Sequence, residues 1–174
     1  MAVLPLVIYP DPRLLEPSKP VEAVTDETRA FMDDMMETMY ASQGIGLAAI
    51  QVGVHQRILV MDIGFASGRY KESGGGSKPM YLVNPEIIEE SEDICVFDEG
   101  CLSFPGQYAE VERPEYVKVR YLDYHGKEQF MEAHGLLARC VQHELDHLDG
   151  KVFVDYLSRT KRDLITRRLK KRAK

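Results

Sequence analysis

Apolar residues recur every three or four positions in two segments, 26–41 and 134–148, which is the period of an amphipathic helix. In the first segment Thr25 or Asp26 can cap the helix and Gly44 can end it. The stripe of that helix predicts core packing, because methionine fills irregular gaps between packed elements. It consists of Phe31, Met32, Met35, Met36 and Met39.

Short segments rich in branched and aromatic residues predict strands at 56–63, 80–84 and 116–122. The last of these alternates between apolar and polar residues, and the segment 128–133 returns after a turn, which predicts a hairpin. The first two are separated by the Gly/Ser-rich stretch 65–78, which predicts an exposed loop rather than a domain linker. Strands flanked by helices at both ends predict an α+β fold with antiparallel sheets.

The length of 174 residues predicts one domain with a core large enough to fold without disulfides. A chain that is 44% hydrophobic and 29% charged is ordinary for a soluble globular protein, and no apolar run is long enough for a membrane span. The N-terminus has no basic residue before Arg13, which argues against a secretory signal. The three cysteines, an odd and low number, favour a reducing compartment, so we expect a cytoplasmic protein.

Charge divides the chain into a body, 1–158, and a basic tail, 159–174. The tail carries nine Lys or Arg residues against one acid, a net charge of +8, and the body carries 13 basic and 27 acidic residues, a net charge of −14. We expect the tail to form a final helix capped by Ser158. It is either a solvated cationic helix with a few apolar contacts or an element that docks on an anionic partner.

The strongest chemical signal is the HELDH sequence at 143–147. His143 and His147 are four residues apart, so on a helix their imidazoles lie on one face and can reach one metal ion. Glu144 is then placed to accept a proton from a water that the metal activates. The alternative is a surface helix with charged side chains, but the rest of this helix is strongly apolar.

A catalytic metal site of this kind needs a third protein ligand. The metzincin pattern would require histidine at position 153, where Phe153 stands, and no glutamate follows Glu144 as thermolysin-like enzymes would require. The residues left as candidates for the third ligand are Asp155, Cys95, Cys101 and Cys140.

The stretch GIGLAA at 44–49 fits a dinucleotide-binding pattern through Gly44, Gly46 and Ala49. That pattern requires a strand before the glycines and a helix after them, whereas here an amphipathic helix precedes them. We therefore predict no nucleotide cofactor. Glycines at these positions instead let the backbone approach an extended substrate closely.

Three stretches together resemble the signature sequences of the bacterial peptide deformylase family. They are GIGLAAIQ at 44–51, EGCLS at 99–103 and QHELDHLDG at 142–150, and the similarity spans roughly residues 3–160. The resemblance implies a single catalytic domain over 1–158, an α+β fold with antiparallel sheets packed around a central metal-binding helix, and a C-terminal helical tail over 159–174. It also implies that the chain removes formate from the N-formyl-methionine of nascent peptides.

The resemblance implies Cys101, His143 and His147 as ligands of one divalent metal ion per chain, with Glu144 as the general acid and base. One thiolate and two imidazoles suit Zn²⁺, Ni²⁺, Co²⁺ or Fe²⁺. The family implies Fe²⁺ in cells, with Zn²⁺ or Ni²⁺ as common replacements.

The resemblance implies further roles in substrate binding and catalysis. The side chain of Gln51 and the backbone N–H of Leu102 would stabilise the developing oxyanion, and Gly46 would contact the substrate backbone. Glu99 would anchor its loop or bind a substrate amide. The residues expected to line the slot for the methionine side chain are Ile45, Leu136 and Cys140.

The chain departs from some family members at Tyr108, where they carry arginine, and in the length of the 65–78 loop. Arg113 matches a recurrent basic position. Since the implied substrate emerges from the ribosome, ribosomal RNA is the anionic partner we expect for the tail. Two other functions remain open from the sequence: a zincin-like metallopeptidase, and an RNA-binding module in which HELDH is merely structural.

Overall fold

The computed structural model describes residues 2–65 and 77–173, so most of the predicted 65–78 loop lies outside the described residues. The described part contains three α-helices: α1 (Asp26–Ala41), α2 (Gly135–Leu148) and α3 (Arg159–Arg172). It also contains seven strands: β1 (Gly46–Ala48), β2 (Ile58–Met61), β3 (Met80–Glu90), β4 (Ile94–Cys101), β5 (Phe104–Pro114), β6 (Tyr116–Leu122) and β7 (Glu128–His134).

The described strands form two separate antiparallel sheets. The larger has the order β1-β2-β3-β6-β7, and the smaller consists of β4 and β5 alone. The predicted hairpin is present as β6 and β7, which pair from Tyr116 with His134 to Leu122 with Glu128. The α+β class and the antiparallel sheets are as the sequence predicts.

Helix α2 lies at the centre of the fold. Its apolar residues Val141, Leu145 and Leu148 are buried in one cluster with residues of the larger sheet, among them Leu59 and Val119. Ten of its fourteen residues are buried, including polar ones, because the helix packs against strands of both sheets. Side chains on several faces of α2 are therefore shielded from water.

Helix α1 forms as its pattern predicts. Thr25 is the N-cap, and its hydroxyl and that of Thr28 satisfy each other's backbone N–H in a capping box. The C-terminal end differs from the prediction, because Gln43, with φ 59°, and not Gly44 takes the left-handed conformation. The buried methionines of this helix are Met32, Met35, Met36 and Met39.

Strand boundaries were the least predictable part of the fold. The segment 56–63 contains only the four-residue strand β2, and the segment predicted at 80–84 continues to Glu90 as β3. The sequence pattern did not predict β4 and β5 as a sheet. Their alternation is hidden because apolar residues such as Ile94 and Val96 lie on an exposed face.

Helix α3 lies against the body. Ser158 caps it, as predicted, by accepting a hydrogen bond from the backbone N–H of Lys161. Ile165 and Leu169 are buried in a cluster that includes Phe104 of β5. None of the described helices is both long enough and apolar enough to cross a membrane.

Candidate metal centre

Helix α2 brings the two histidines of HELDH together. The rings of His143 and His147 lie with their centroids 5.0 Å apart, and both side chains are buried. Burial lowers the pKa of His147 well below its ordinary value, so this imidazole is neutral and its lone pair is available to a metal.

The third donor is Cys101, at the end of β4. The pairing of β4 with β5 shifts register between Gly100 and Cys101, so the chain turns at this point. The Sγ atom of Cys101 lies 3.3 Å from Nε2 of His147. The donor atoms of Cys101, His143 and His147 all lie within 4.8 Å of one another.

The other candidates for the third ligand do not join this cluster in the described residues. Asp155 accepts a hydrogen bond from the backbone N–H of Val152 at the start of a short 3₁₀ helix. Cys140 directs its thiol towards the backbone oxygen of Ile45, with the sulfur 3.7 Å away. Cys95 lies six residues before Cys101 on the same strand.

The donor set fits a divalent transition metal. A thiolate with two neutral imidazoles is a common ligand combination for such ions, and three ligands leave a position for water or substrate. The Nδ1 atom of His143 lies 2.8 Å from Oε1 of Glu99, which leaves Nε2 of that ring for a metal. A carboxylate behind a histidine ligand is a recurrent feature of metal sites.

Glu99 is held by four hydrogen bonds and is only 3% exposed. Arg113 donates to both carboxylate oxygens, His143 Nδ1 donates to Oε1, and Arg139 donates to Oε2. Burial by itself would raise the pKa of Glu99, but the hydrogen bonds from Arg113 and His143 outweigh it and hold the pKa well below its ordinary value. Of the two predicted roles for Glu99, these contacts favour the anchoring one, because the four donors occupy all its acceptor positions.

Glu144 is also buried, but its surroundings differ from those of Glu99. Its Oε1 lies 3.9 Å from Nε2 of His143, and its Oε2 has no hydrogen-bond partner within the described residues. Burial raises the pKa of Glu144 to about 7. A carboxyl group with such a pKa can both accept and release a proton near neutral pH.

Gln51 lies beside Cys101 and is almost completely buried. Its Oε1 accepts a hydrogen bond from the backbone N–H of Ala48 at 2.9 Å, which fixes the orientation of the amide. Its Nε2 then donates to Oγ of Ser103 at 3.1 Å and lies 3.4 Å from Sγ of Cys101. Ser103 was not expected from the sequence.

A cleft of about 440 Å³ opens beside these groups. Several of the predicted site residues line it: Ile45, Gly46, Glu99, Cys101, Leu102, Leu136, Cys140, His143 and Glu144. Gly46 has no room for a side chain, because a Cβ there would lie 2.8 Å from Sγ of Cys140 and 3.0 Å from Cγ of Glu144. Strand β1 therefore packs closely against α2 at this wall of the cleft.

Sequence reasoning missed the buried charges around Glu99. Arg113 joins Glu99 to Asp146, whose carboxylate also accepts a hydrogen bond from the hydroxyl of Tyr156. Arg139 lies on α2 one turn before His143 and is 5% exposed. A lone arginine on the apolar part of the HELDH helix is the signal that could have indicated it.

Comparison with known proteins decides the family. The family model described as polypeptide deformylase matches residues 3–163. The chain belongs to the peptide deformylase family. It is 54% identical over 171 residues to the peptide deformylase of Rickettsia akari, covering 98% of this chain and 97% of that protein. It is 50% identical over 174 residues to that of Rhizobium meliloti, covering 100% and 96%.

Solved structures of peptide deformylases have the same fold. The enzyme from Ehrlichia chaffeensis superposes with a TM-score of 0.91 at 45% identity, covering 99% of this chain and 97% of that one. A structure from the same organism in complex with actinonin gives a TM-score of 0.90 at 47% identity, covering 99% and 98%.

Peptide deformylases are metal-dependent hydrolases that remove the N-formyl group from nascent peptides. Membership in this family favours neither of the two other functions left open by the sequence, the zincin-like peptidase and the RNA-binding module. The three donors Cys101, His143 and His147 form a potential metal site within this fold.

Proposed function

We propose that this chain hydrolyses the bond between the formyl carbon and the nitrogen of N-formyl-methionyl nascent peptides, releasing formate. The observation that carries the proposal is the convergence of Cys101, His143 and His147 beside a cleft whose wall includes Cys101, His143 and Glu144. The family supplies the reaction class, and the geometry indicates which side chains of this chain perform it.

We assign the sulfur of Cys101 and one ring nitrogen each of His143 and His147 as ligands of one divalent metal ion. The metal proposed in cells is Fe²⁺, with Zn²⁺ or Ni²⁺ as replacements, since this mixed donor set accepts all three. When bound, the ion supplies a Lewis acid that polarises the formyl oxygen and lowers the pKa of water. A thiolate with two neutral imidazoles leaves the site with a net charge of +1.

Glu144 is the proposed proton carrier. Its raised pKa, about 7, allows the carboxylate to take a proton from the attacking water and to return it to the leaving amine. Its Oε2 atom has no partner among the described residues, so it is available for that proton. Burial in the cleft wall also keeps bulk water from competing for the carboxylate.

Gln51 and the backbone N–H of Leu102 are the proposed donors to the oxygen that becomes negatively charged. The hydrogen bond from the backbone N–H of Ala48 to Oε1 of Gln51 directs the amide nitrogen of Gln51 towards Cys101. An amide held in advance costs no reorganisation when the charge develops, and each such donor is typically worth about 3–4 kcal/mol of barrier.

The apolar part of the cleft is the proposed slot for the methionine side chain. Cys140 and Leu136 lie on α2, one and two turns before the proposed ligand His143, and Ile45 also lines the cleft. Gly46 lines the same cleft, and the bare backbone there is the proposed contact for the substrate backbone. An unbranched thioether fits such a slot because it adapts to irregular walls.

The test is formate release from N-formyl-Met-Ala-Ser by protein reconstituted with Fe²⁺ without oxygen. We expect stoichiometric formate and an intact Met-Ala-Ser peptide by mass spectrometry, with no formate from a Cys101→Ala control. Actinonin, which is bound in the structure of the Ehrlichia relative, should block the reaction. No formate from protein that holds one metal ion per chain would overturn the proposal.

We also propose that the protein works in the cytoplasm and that α3 brings it to ribosomal RNA. The exposed residues of α3 include Arg167, Arg168, Lys170 and Lys171, while Ile165 and Leu169 face the body. Cations arranged on the outer face of a docked helix favour binding to phosphates by counterion release.

Cosedimentation with large ribosomal subunits tests this assignment. Deleting α3 would also remove Ile165 and Leu169 from a buried cluster, so the sharper variant replaces Arg167, Arg168, Lys170 and Lys171 by glutamine. We expect weaker binding and a shallower salt dependence, with formate release unchanged. Equal, salt-insensitive cosedimentation of both proteins would exclude the tail as the docking element.

A further inference from the structure

The ligands of the proposed metal centre come from two separate parts of the fold, the two-stranded sheet and helix α2. Cys101 ends β4, which among the described strands pairs only with β5, and both histidines lie on α2. The separation between Sγ of Cys101 and the imidazoles therefore depends on how the two-stranded sheet docks against the helix. Side chains that cross this junction set that separation.

Arg139 crosses the junction and contacts both strands. From α2 its guanidinium donates to the backbone oxygen of Cys95 on β4 at 2.6 Å and to that of Val111 on β5 at 3.0 Å. The same group donates to Oε2 of Glu99 at 2.5 Å. Glu99 in turn accepts the hydrogen bond of His143, one turn further along α2.

Arg139 lines the cleft, but three of its guanidinium N–H bonds are directed to acceptors within the protein. The ring of Phe97 lies 5.8 Å from the central carbon of the guanidinium. Removing these N–H groups would take one hydrogen bond from each of the backbone oxygens of Cys95 and Val111 and leave Glu99 one donor short. It would also remove a positive charge from a buried region that contains the carboxylates of Glu99 and Glu144 and the thiolate expected at Cys101.

We propose that Arg139 is a positioning residue of the metal centre: it clamps β4, β5 and Glu99 onto α2 and so fixes Cys101 relative to His143. The inference rests on the proposed function for the identity of the site as a metal centre. It adds that retention of the metal depends on a side chain that is not itself a metal ligand.

Arg139→Met tests the clamp, because methionine keeps an unbranched stem and removes every donor. Arg120→Met is the matched control, since Arg120 lies on β6 and pairs with Glu86 at the exposed surface. Both proteins and the wild type are loaded with Co²⁺ or Ni²⁺, and metal loss to a chelator is followed together with the Co²⁺ absorption spectrum.

We expect Arg139→Met to bind metal 10- to 100-fold more weakly, the range typical when a group behind a metal ligand is lost. Its Co²⁺ spectrum should change, and kcat should fall while KM changes less than about threefold. Arg139→Lys should recover part of the metal affinity. An ammonium restores one charged donor group but cannot make all three hydrogen bonds of the planar guanidinium. Arg120→Met should match the wild type.

A purely structural role predicts a different result. Arg139→Met would then unfold at a lower temperature but keep wild-type metal affinity and spectrum, which would overturn the proposal. If Arg139→Met does not fold, Arg139→Lys and Arg139→Gln replace it in the test. Wild-type metal retention in both of these variants would also overturn the proposal. If the wild type releases no formate but metal retention still depends on Arg139, the proposed function fails and the clamp stands.

Discussion

Oε1 of Glu99 lies 2.8 Å from Nδ1 of His143, so a carboxylate from β4 orients an imidazole on α2. Because Glu99 is ionised, it accepts this hydrogen bond, so Nδ1 of His143 carries a proton. The other nitrogen, Nε2, then faces the cluster that contains Cys101. One contact thus joins the two-stranded sheet to the helix and selects the tautomer that can bind a metal.

Replacing Glu99 by Gln should release the metal and destabilise the fold. The amide is neutral and presents N–H groups towards Arg113 and Arg139, whose buried charges lose their partner. We expect 10- to 100-fold weaker metal binding and a free energy of unfolding lower by about 3–5 kcal/mol, measured by chelator competition and urea denaturation.

Glu86→Gln is the control for that change, because Glu86 forms an exposed pair with Arg120. Surface pairs contribute about 0–1 kcal/mol, so this variant should keep its metal and nearly all of its stability. Wild-type metal affinity in Glu99→Gln would show that the hydrogen bond between the Glu99 carboxylate and His143 is not needed for metal binding.

Replacing Glu144 by Gln should separate chemistry from metal binding. The side chain keeps its shape, but it can no longer accept the proton that a carboxylate near pKa 7 accepts. We expect one metal ion per chain and a 10²- to 10⁴-fold lower kcat for formate release. Metal analysis and single-turnover kinetics measure both quantities, and retained turnover would remove Glu144 from the mechanism.

Gly46→Ala should narrow the cleft. The new methyl group would lie 2.8 Å from Sγ of Cys140, so the side chain of Cys140 or the backbone around Gly46 must shift. We expect kcat/KM for N-formyl-Met-Ala-Ser to fall at least tenfold while metal content is unchanged. The double variant Gly46→Ala, Cys140→Ala removes the closest contact and should recover part of the loss. Unchanged kcat/KM in Gly46→Ala would contradict the proposed close contact between the substrate backbone and β1.

Asp62 should contribute stability that depends on pH. It is buried, and although burial raises its pKa, hydrogen bonds from the backbone of Lys78 and the hydroxyls of Tyr40 and Ser77 lower the pKa below its ordinary value. Because the pKa of Asp62 is lower in the folded state, its ionised carboxylate stabilises the protein at pH values above the ordinary pKa. This stabilisation is lost as the pH falls through the lowered pKa of the folded state.

Asp62→Asn should therefore lower the free energy of unfolding by about 1–3 kcal/mol at pH 7. The difference from the wild type should stay constant down to about pH 5 and shrink below about pH 4. Urea denaturation across this range measures it. A difference that is the same at pH 3 and pH 7 would assign the effect to shape rather than charge.

The local pattern of the chain was enough to predict α1, α2 and the hairpin of β6 and β7. A period of 3.6 or 2 residues, with caps such as Thr25 and Ser158, acts within one element and is visible in a short window of sequence. The same holds for His143 and His147, since the helix itself places residues four apart on one face.

The choice of Cys101 as the third donor was different. Spacing left Asp155, Cys95 and Cys140 open beside it, and only the family resemblance selected it in advance. Cys101 joins the histidines through the docking of β4 and β5 on α2, a contact between residues more than forty positions apart. No local period encodes such a contact.

The tertiary structure alone decided the environment of the site. It showed that Glu99 takes hydrogen bonds from Arg113, Arg139 and His143, because three elements meet there in a volume that excludes water. Buried charges must find partners wherever the fold provides them. The sequence by itself determined which residues are proposed to carry the chemistry of this protein, and the packing of β4 and β5 on α2 determined what holds them in place.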